Sequence, residues 1–138
     1  MNFSLQSCIL MMYIHYVAYY TKVGDMDMAK YYYHLADSTY RTLPEAGLYQ
    51  EYHARVSSDY LRKSGQYEKA LPQVDTLMML FRPVSPLSYN AAFEERGEIL
   101  HLMGRDAEAL DLLKVAKKRR DSLQIELLNT QTEQVKSI

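Results

Sequence analysis

The chain has few side-chain groupings that could catalyse a reaction or hold a metal. Its four histidines are scattered, at His15, His34, His53 and His101. No two of them have the separation of metal-binding histidines, and none lies near the single cysteine, Cys8. A glycine-rich phosphate loop, a nucleophile elbow and a His-Glu-x-x-His sequence are also missing. We therefore predict no enzymatic activity, no metal and no cofactor.

A basic run, KVAKKRR at 114–120, is the most concentrated charge in the sequence. Our main interpretation is that it ends a helix, where cations interact favourably with the helix dipole. The alternative is contact with nucleic acid or anionic lipid. The chain as a whole has 16 basic and 17 acidic residues. Since this balance gives no bulk attraction for phosphates, we predict that nucleic acid is not a partner.

The apolar run CILMMYIHYVAYY at 8–20 resembles neither a membrane span nor a signal peptide. A span needs about 20 apolar residues, and this run is shorter. A signal peptide has basic residues ahead of its apolar region, whereas the first basic residue here is Lys22. We predict a helix that is buried on most sides, and no insertion into a membrane.

One short phrase occurs three times, as VGDMDMAK (23–30), SGQYEKAL (64–71) and MGRDAEAL (103–110). Each copy has a glycine and, five residues later, an alanine: Gly24 and Ala29, Gly65 and Ala70, Gly104 and Ala109. The glycine is suited to ending one helix in a left-handed conformation. A polar residue after it can start the next helix, and the small alanine lets two antiparallel helices approach closely. The phrase therefore predicts three helix pairs.

The residues that flank each phrase continue the helical pattern. Four residues before the glycines stand Tyr20, Leu61 and Leu100, and apolar residues recur four and seven residues after the alanines. Such spacing places them on one face of a helix. Alternating strand patterns and hairpin dipeptides are missing. We predict an all-α fold in a single domain, 1–138.

The order of large and small residues around the phrase resembles the tetratricopeptide repeat. The third copy is the nearest match, through Phe93, Gly97, Leu100, Gly104, Ala109, Leu113 and Ala116. The resemblance implies a right-handed α-α superhelix, with repeats at about 8–43, 45–82 and 86–120. The steps of 41 and 39 residues between glycines exceed the usual 34 or so. We place the excess at 39–47 and 81–89, with Pro44 and Pro86 in the first turns of the next helices and Ser85 as an N-cap.

In this family the first helix of each pair lines a concave face that binds a peptide or a partner protein. The resemblance assigns to that face Met11, Ile14, Ala18, Tyr52, Arg55, Asp59, Arg62, Glu94, Glu98 and His101. Asp59 and Glu98 stand where a clamp for a terminal carboxylate would need amides, so we reject that ligand class. The remaining charges either pair across the repeats, Arg55 with Glu94 and Arg62 with Glu98, or they form a polar surface for a partner.

Tyrosine is abundant, with 13 residues, and three are consecutive at 31–33. Consecutive residues of a helix point in different directions. Tyr33 falls on a repeated core position, so we predict that Tyr31 and Tyr32 are partly exposed. They either pack against adjacent helices or contact a partner.

The last segment, 121–138, predicts one more helix. Asp121 and Gln124 have the spacing of a helix start, and we expect a capping helix at about 122–136 that is truncated at the end of the chain. The segment also resembles the stretch that follows the last repeat in bacterial tetratricopeptide sensor histidine kinases. The uncapped end of this helix suggests a piece of a longer protein. The likeness to the sensor kinases implies a periplasmic location, and without it we expect a cytoplasmic one.

Two functions follow from these patterns. The first is a non-enzymatic scaffold that binds a protein or peptide as the input module of a larger bacterial signalling protein. The alternative is a structural module that forms a homodimer through its apolar ends and tyrosine surface.

Overall fold

In a computed structural model, which describes residues 4–137, the protein is built from helices alone. The α-helices are α1 (Leu5–Val23), α2 (Met26–Thr42), α3 (Gln50–Lys63), α4 (Tyr67–Phe81), α5 (Pro86–Leu102) and α6 (Asp106–Lys136). A short 3-10 helix, Ala46–Tyr49, precedes α3. No β-strand occurs in residues 4–137. The predicted all-α fold is confirmed.

The helices form two compact units, residues 1–77 and 78–138. In the first unit, α1 packs along α2 and also contacts α3. In the second unit, α5 packs along α6. The single domain and the superhelix stay predictions, since each unit is described by itself.

The three glycines of the repeated phrase end helices as expected. Gly24, Gly65 and Gly104 have φ angles of 85°, 79° and 80°. These are the left-handed values that glycine adopts without a steric penalty, because it has no Cβ. Between α1 and α2, the Asp25 side chain accepts a hydrogen bond from the Met28 amide and so caps α2. The sequence therefore located these helix ends correctly.

The small residues of the repeated pattern are buried. Ala29 and Ala70 are 0% exposed and Ala109 is 2% exposed. At Gly97, a Cβ would lie 2.9 Å from side-chain atoms of Leu112 and Leu113. Close contact between α5 and α6 thus requires a residue without a side chain at this point of α5.

Helix α1 buries only one of its faces. Its buried residues are Ser7, Leu10, Ile14, Val17 and Thr21, which follow one another at steps of three and four. Other large side chains of α1 are exposed, among them Met12 and Tyr19. The expected burial on most sides is wrong, because a run of apolar residues does not reveal how many neighbours a helix has.

The two prolines of the connecting segments behave differently. Pro86 is in the first turn of α5, and the Ser85 hydroxyl accepts a hydrogen bond from the Ser88 amide, as predicted. Pro44 lies in a turn before the 3-10 helix and not in α3. That prediction is wrong, because the 3-10 helix takes up the residues between Pro44 and α3.

Helix α6 runs for 31 residues without a break. The expected helix start at Asp121 is wrong, and there is no separate capping helix at 122–136. No glycine or proline occurs between Asp106 and Lys136 to end the helix. Residues 124–137 are all exposed, including the apolar side chains of Leu127 and Leu128.

Candidate functional site

The first unit carries the predicted partner face on α1 and α3. Tyr52 is 48% exposed, Arg55 and Asp59 are exposed, and Met11 and Arg62 are partly buried. Ala18 is exposed on α1. Ile14 is only 3% exposed, so it belongs to the core of this unit and does not form part of an accessible surface.

Two arginines of α3 have carboxylate partners on their own helix. Arg55 lies 2.6 Å from a carboxylate oxygen of Glu51, and Arg62 lies 2.9 Å from one of Asp59. Exposed pairs of this kind contribute about 0–1 kcal/mol each. They orient the side chains more than they stabilise the fold. The predicted pairs between repeats join residues of different units and stay predictions: Arg55 with Glu94, and Arg62 with Glu98.

The second unit carries the remaining three predicted residues on α5. Glu94 accepts hydrogen bonds from Arg120 of α6, at 2.9 and 3.1 Å. His101 lies close to the start of α6, with Nδ1 2.7 Å from Oδ1 of Asp106. Glu98 is exposed. Two of the three side chains are therefore held by residues of the neighbouring helix.

A polar cavity of about 290 Å³ in the first unit was not anticipated from the sequence. His53 is buried beside it, with Nε2 3.4 Å from an Asp37 oxygen and without a hydrogen-bond partner among the described residues. Burial lowers the pKa of His53, and the nearby Asp37 carboxylate partly opposes this. The residue types did not mark His53 as buried, because one of its neighbours at helical spacing is the polar Ser57, whose own burial is a property of the folded chain.

Aromatic side chains form an exposed cluster on α1 and α2. Its members are Tyr13, Tyr16, Tyr19, Tyr20, Tyr31 and Tyr32. The rings of Tyr20 and Tyr32 are parallel within 1° at 5.7 Å, and Tyr16 lies 4.7 Å from Tyr32. Tyr31 is 58% exposed and Tyr32 is partly exposed, as predicted. Such a surface is typical of an interface, because tyrosine combines an apolar ring with a polar hydroxyl.

The basic run 114–120 lies in the middle of α6. The helix continues to Lys136, so the explanation by a helix end and its dipole is wrong. Instead, the run contributes contacts to α5. The Arg119 guanidinium lies 4.8 Å above the Phe93 ring, and Arg120 pairs with Glu94.

Comparison with known proteins does not assign a function. No family model, curated protein or solved structure matches this chain. The tetratricopeptide resemblance of the repeated positions therefore stays a prediction.

Residues 4–137 contain neither a metal-binding cluster nor a membrane-spanning helix. No group of three or more histidine, cysteine, aspartate or glutamate side chains is placed to hold a metal ion there. Within the same residues, no helix combines the length and the apolar character needed to cross a membrane.

Proposed function

We propose that the chain is a non-enzymatic scaffold of the tetratricopeptide type that binds a protein or peptide. The observation that carries the proposal is the recurrence of one joint, a left-handed glycine followed by a buried alanine, at 24–29, 65–70 and 104–109. Three such joints at nearly equal steps are typical of a stacked array of helix pairs. We further propose that this array is the input module of a larger bacterial signalling protein.

The face proposed to bind the partner is the exposed surface of α3 in the first unit. Tyr52 is an exposed aromatic residue of this face. Aromatic side chains often contribute most of the binding energy at interfaces. The ion-paired residues Arg55 and Asp59 lie on the same helix and supply a polar rim. Binding to such a face involves no covalent chemistry.

A peptide array tests this proposal. The labelled chain is incubated with a large set of immobilised peptides, and the affinities of selected peptides are then measured by fluorescence anisotropy. Tyr52→Ala should weaken binding about tenfold, as expected for loss of an aromatic anchor. Tyr19→Ala is the matched control, since Tyr19 is also exposed but lies in the aromatic cluster of α1 and α2.

Two results would contradict the proposal. One is an array without any peptide bound above background. The other is a set of bound peptides whose affinities are equal in the Tyr52→Ala and Tyr19→Ala variants.

A homodimerisation module is the second candidate, and one feature of α6 favours it. Ile125, Leu128, Thr132 and Val135 follow at steps of three and four, and the three apolar members are 60%, 61% and 70% exposed. This spacing is that of a coiled-coil seam. Light scattering from micromolar to near-millimolar protein should show the molar mass rising from that of a monomer to that of a dimer. The Leu128→Gln variant should remain a monomer at every concentration. The Gln131→Leu variant should still form the dimer.

A further inference from the structure

A groove of about 620 Å³ lies in the second unit between the start of α5 and the middle of α6. Helix α6 lines it with five residues on one face: Val115, Lys118, Arg119, Ser122 and Leu123. Helix α5 contributes Tyr89 and Asn90 from its first turns. The groove is open to ligands because its rim residues Lys118 and Arg119 are exposed.

The groove combines apolar walls with a cationic rim. Tyr89 and Leu123 form part of the walls, and Arg82, Lys118 and Arg119 supply three positive charges. Of the described residues, no acidic one lines it. Arg82 and Lys118 also form no ion pair within residues 4–137. An anionic ligand with apolar parts is complementary to this arrangement.

Asn90 is a buried polar residue among those that line the groove. The side chain is 3% exposed, and its Nδ2 donates to the Ala116 carbonyl at 2.9 Å. Its Oδ1 is buried and has no hydrogen-bond partner in the described part of the chain. The side chain therefore lies among the groove residues and reports on binding there, but it does not present this oxygen to a ligand.

We propose that this groove binds an extended acidic peptide segment. Its carboxylates pair with Arg82 and Lys118, and its apolar side chains lie against Tyr89 and Leu123. An extended segment fits because its side chains alternate between two sides, so that carboxylates and apolar side chains can face different parts of the groove. The eight steps from Val115 to Leu123 span about 12 Å along the helix, which is the length of roughly four extended residues. This inference rests on the proposed function and names the ligand class and a second binding position.

The test uses the full chain and a tetrapeptide that alternates glutamate and leucine, blocked at both ends. Binding is followed by NMR through the side-chain amide signals of Asn90, and affinity is measured by titration. We expect those signals to shift. Lys118→Gln should weaken binding about fivefold, the upper range for one exposed ion pair. Lys117→Gln is the matched control, because Lys117 is the neighbouring exposed cation and does not line the groove.

A modified peptide tests whether charge is recognised. A peptide with glutamine in place of glutamate should bind at least fivefold more weakly if carboxylates are recognised. Equal affinity of the glutamate and glutamine peptides for the groove would overturn the proposal. Equal losses of affinity in Lys117→Gln and Lys118→Gln would also overturn it. So would displacement of the peptide by phosphatidylglycerol vesicles that bind more tightly.

The Tyr52→Ala variant separates this inference from the proposed function. It should leave the Asn90 shifts unchanged, because Tyr52 belongs to the face on α3. If every peptide that binds loses affinity in Tyr52→Ala and none shifts the Asn90 signals, the groove proposal alone is refuted. A chain that binds no peptide at either position would refute both.

Discussion

The Tyr40 ring lies flat on the His53 imidazole, with ring centroids 3.8 Å apart and planes within 5°. This stacking joins α2 to α3 and buries an ionisable group. Because burial lowers the pKa of His53 in the folded state, the unfolded chain takes up the proton first as the pH falls below about 6.5. The free energy of unfolding should therefore decrease below that pH and level off once the folded-state pKa has been passed.

Urea unfolding between pH 5 and pH 8 measures this dependence. His53→Phe should flatten the curve in that range while keeping an aromatic ring against Tyr40. His15→Gln is the control, since His15 is exposed on α1. An unchanged pH dependence in His53→Phe would show that another group is responsible.

Gly97→Ala should destabilise the second unit by about 1–3 kcal/mol, as for overpacking of a close contact. The new Cβ would lie 2.9 Å from Leu113 Cγ, which cannot move without shifting the rest of that side chain. The gain in helix propensity, up to about 1 kcal/mol, does not offset this. Thermal unfolding followed by circular dichroism measures the effect. Gly47→Ala provides the comparison, because a Cβ there meets nothing within 4 Å; equal stability of the two variants would disprove the close contact.

Gly65→Ala should be destabilising for a different reason. A Cβ at this position has open space, but the φ of 79° is unfavourable for any residue that carries one. The expected loss is about 1–2 kcal/mol. Gly65→Asn should lose less, since asparagine tolerates the left-handed conformation better. If chemical denaturation gives Gly65→Ala and wild type the same free energy of unfolding, the connection between α3 and α4 does not depend on this backbone geometry.

Glu45 should stabilise the first unit in a pH-dependent way. Its carboxylate accepts hydrogen bonds from the hydroxyls of Ser4 and Ser7 at the start of α1. These bonds lower the pKa of Glu45. The stabilisation should be complete above about pH 4.5 and lost as the pH falls through the folded-state pKa. Glu45→Gln should lower the melting temperature at pH 7, and the difference should shrink in acid.

The control for Glu45 is Glu68→Gln, which changes an exposed carboxylate in the first turn of α4. Equal melting temperatures of Glu45→Gln and wild type at every pH would mean that the serine contacts do not stabilise the fold.

The sequence by itself determined the helices and several of their ends. Gly24, Gly65 and Gly104 marked helix ends because only a residue without a Cβ adopts the left-handed conformation cheaply. Ser85 and Pro86 marked the start of α5 through local hydrogen bonding and a fixed φ. Such signals depend on neighbouring residues alone, so they can be recognised before any tertiary contact is known.

The tertiary structure decided what lies between and around the helices. The acidic and amide pair at Asp121 and Gln124 is compatible with a helix start or a helix interior, and α6 simply continues through it. Ile14 is buried and Met12 is exposed, although both are apolar residues of α1. The pairing of His53 with Tyr40, and the unpaired oxygen of Asn90, arise from residues distant in the chain. Burial and charge at these positions depend on which helix packs alongside, and that is a property of the folded chain.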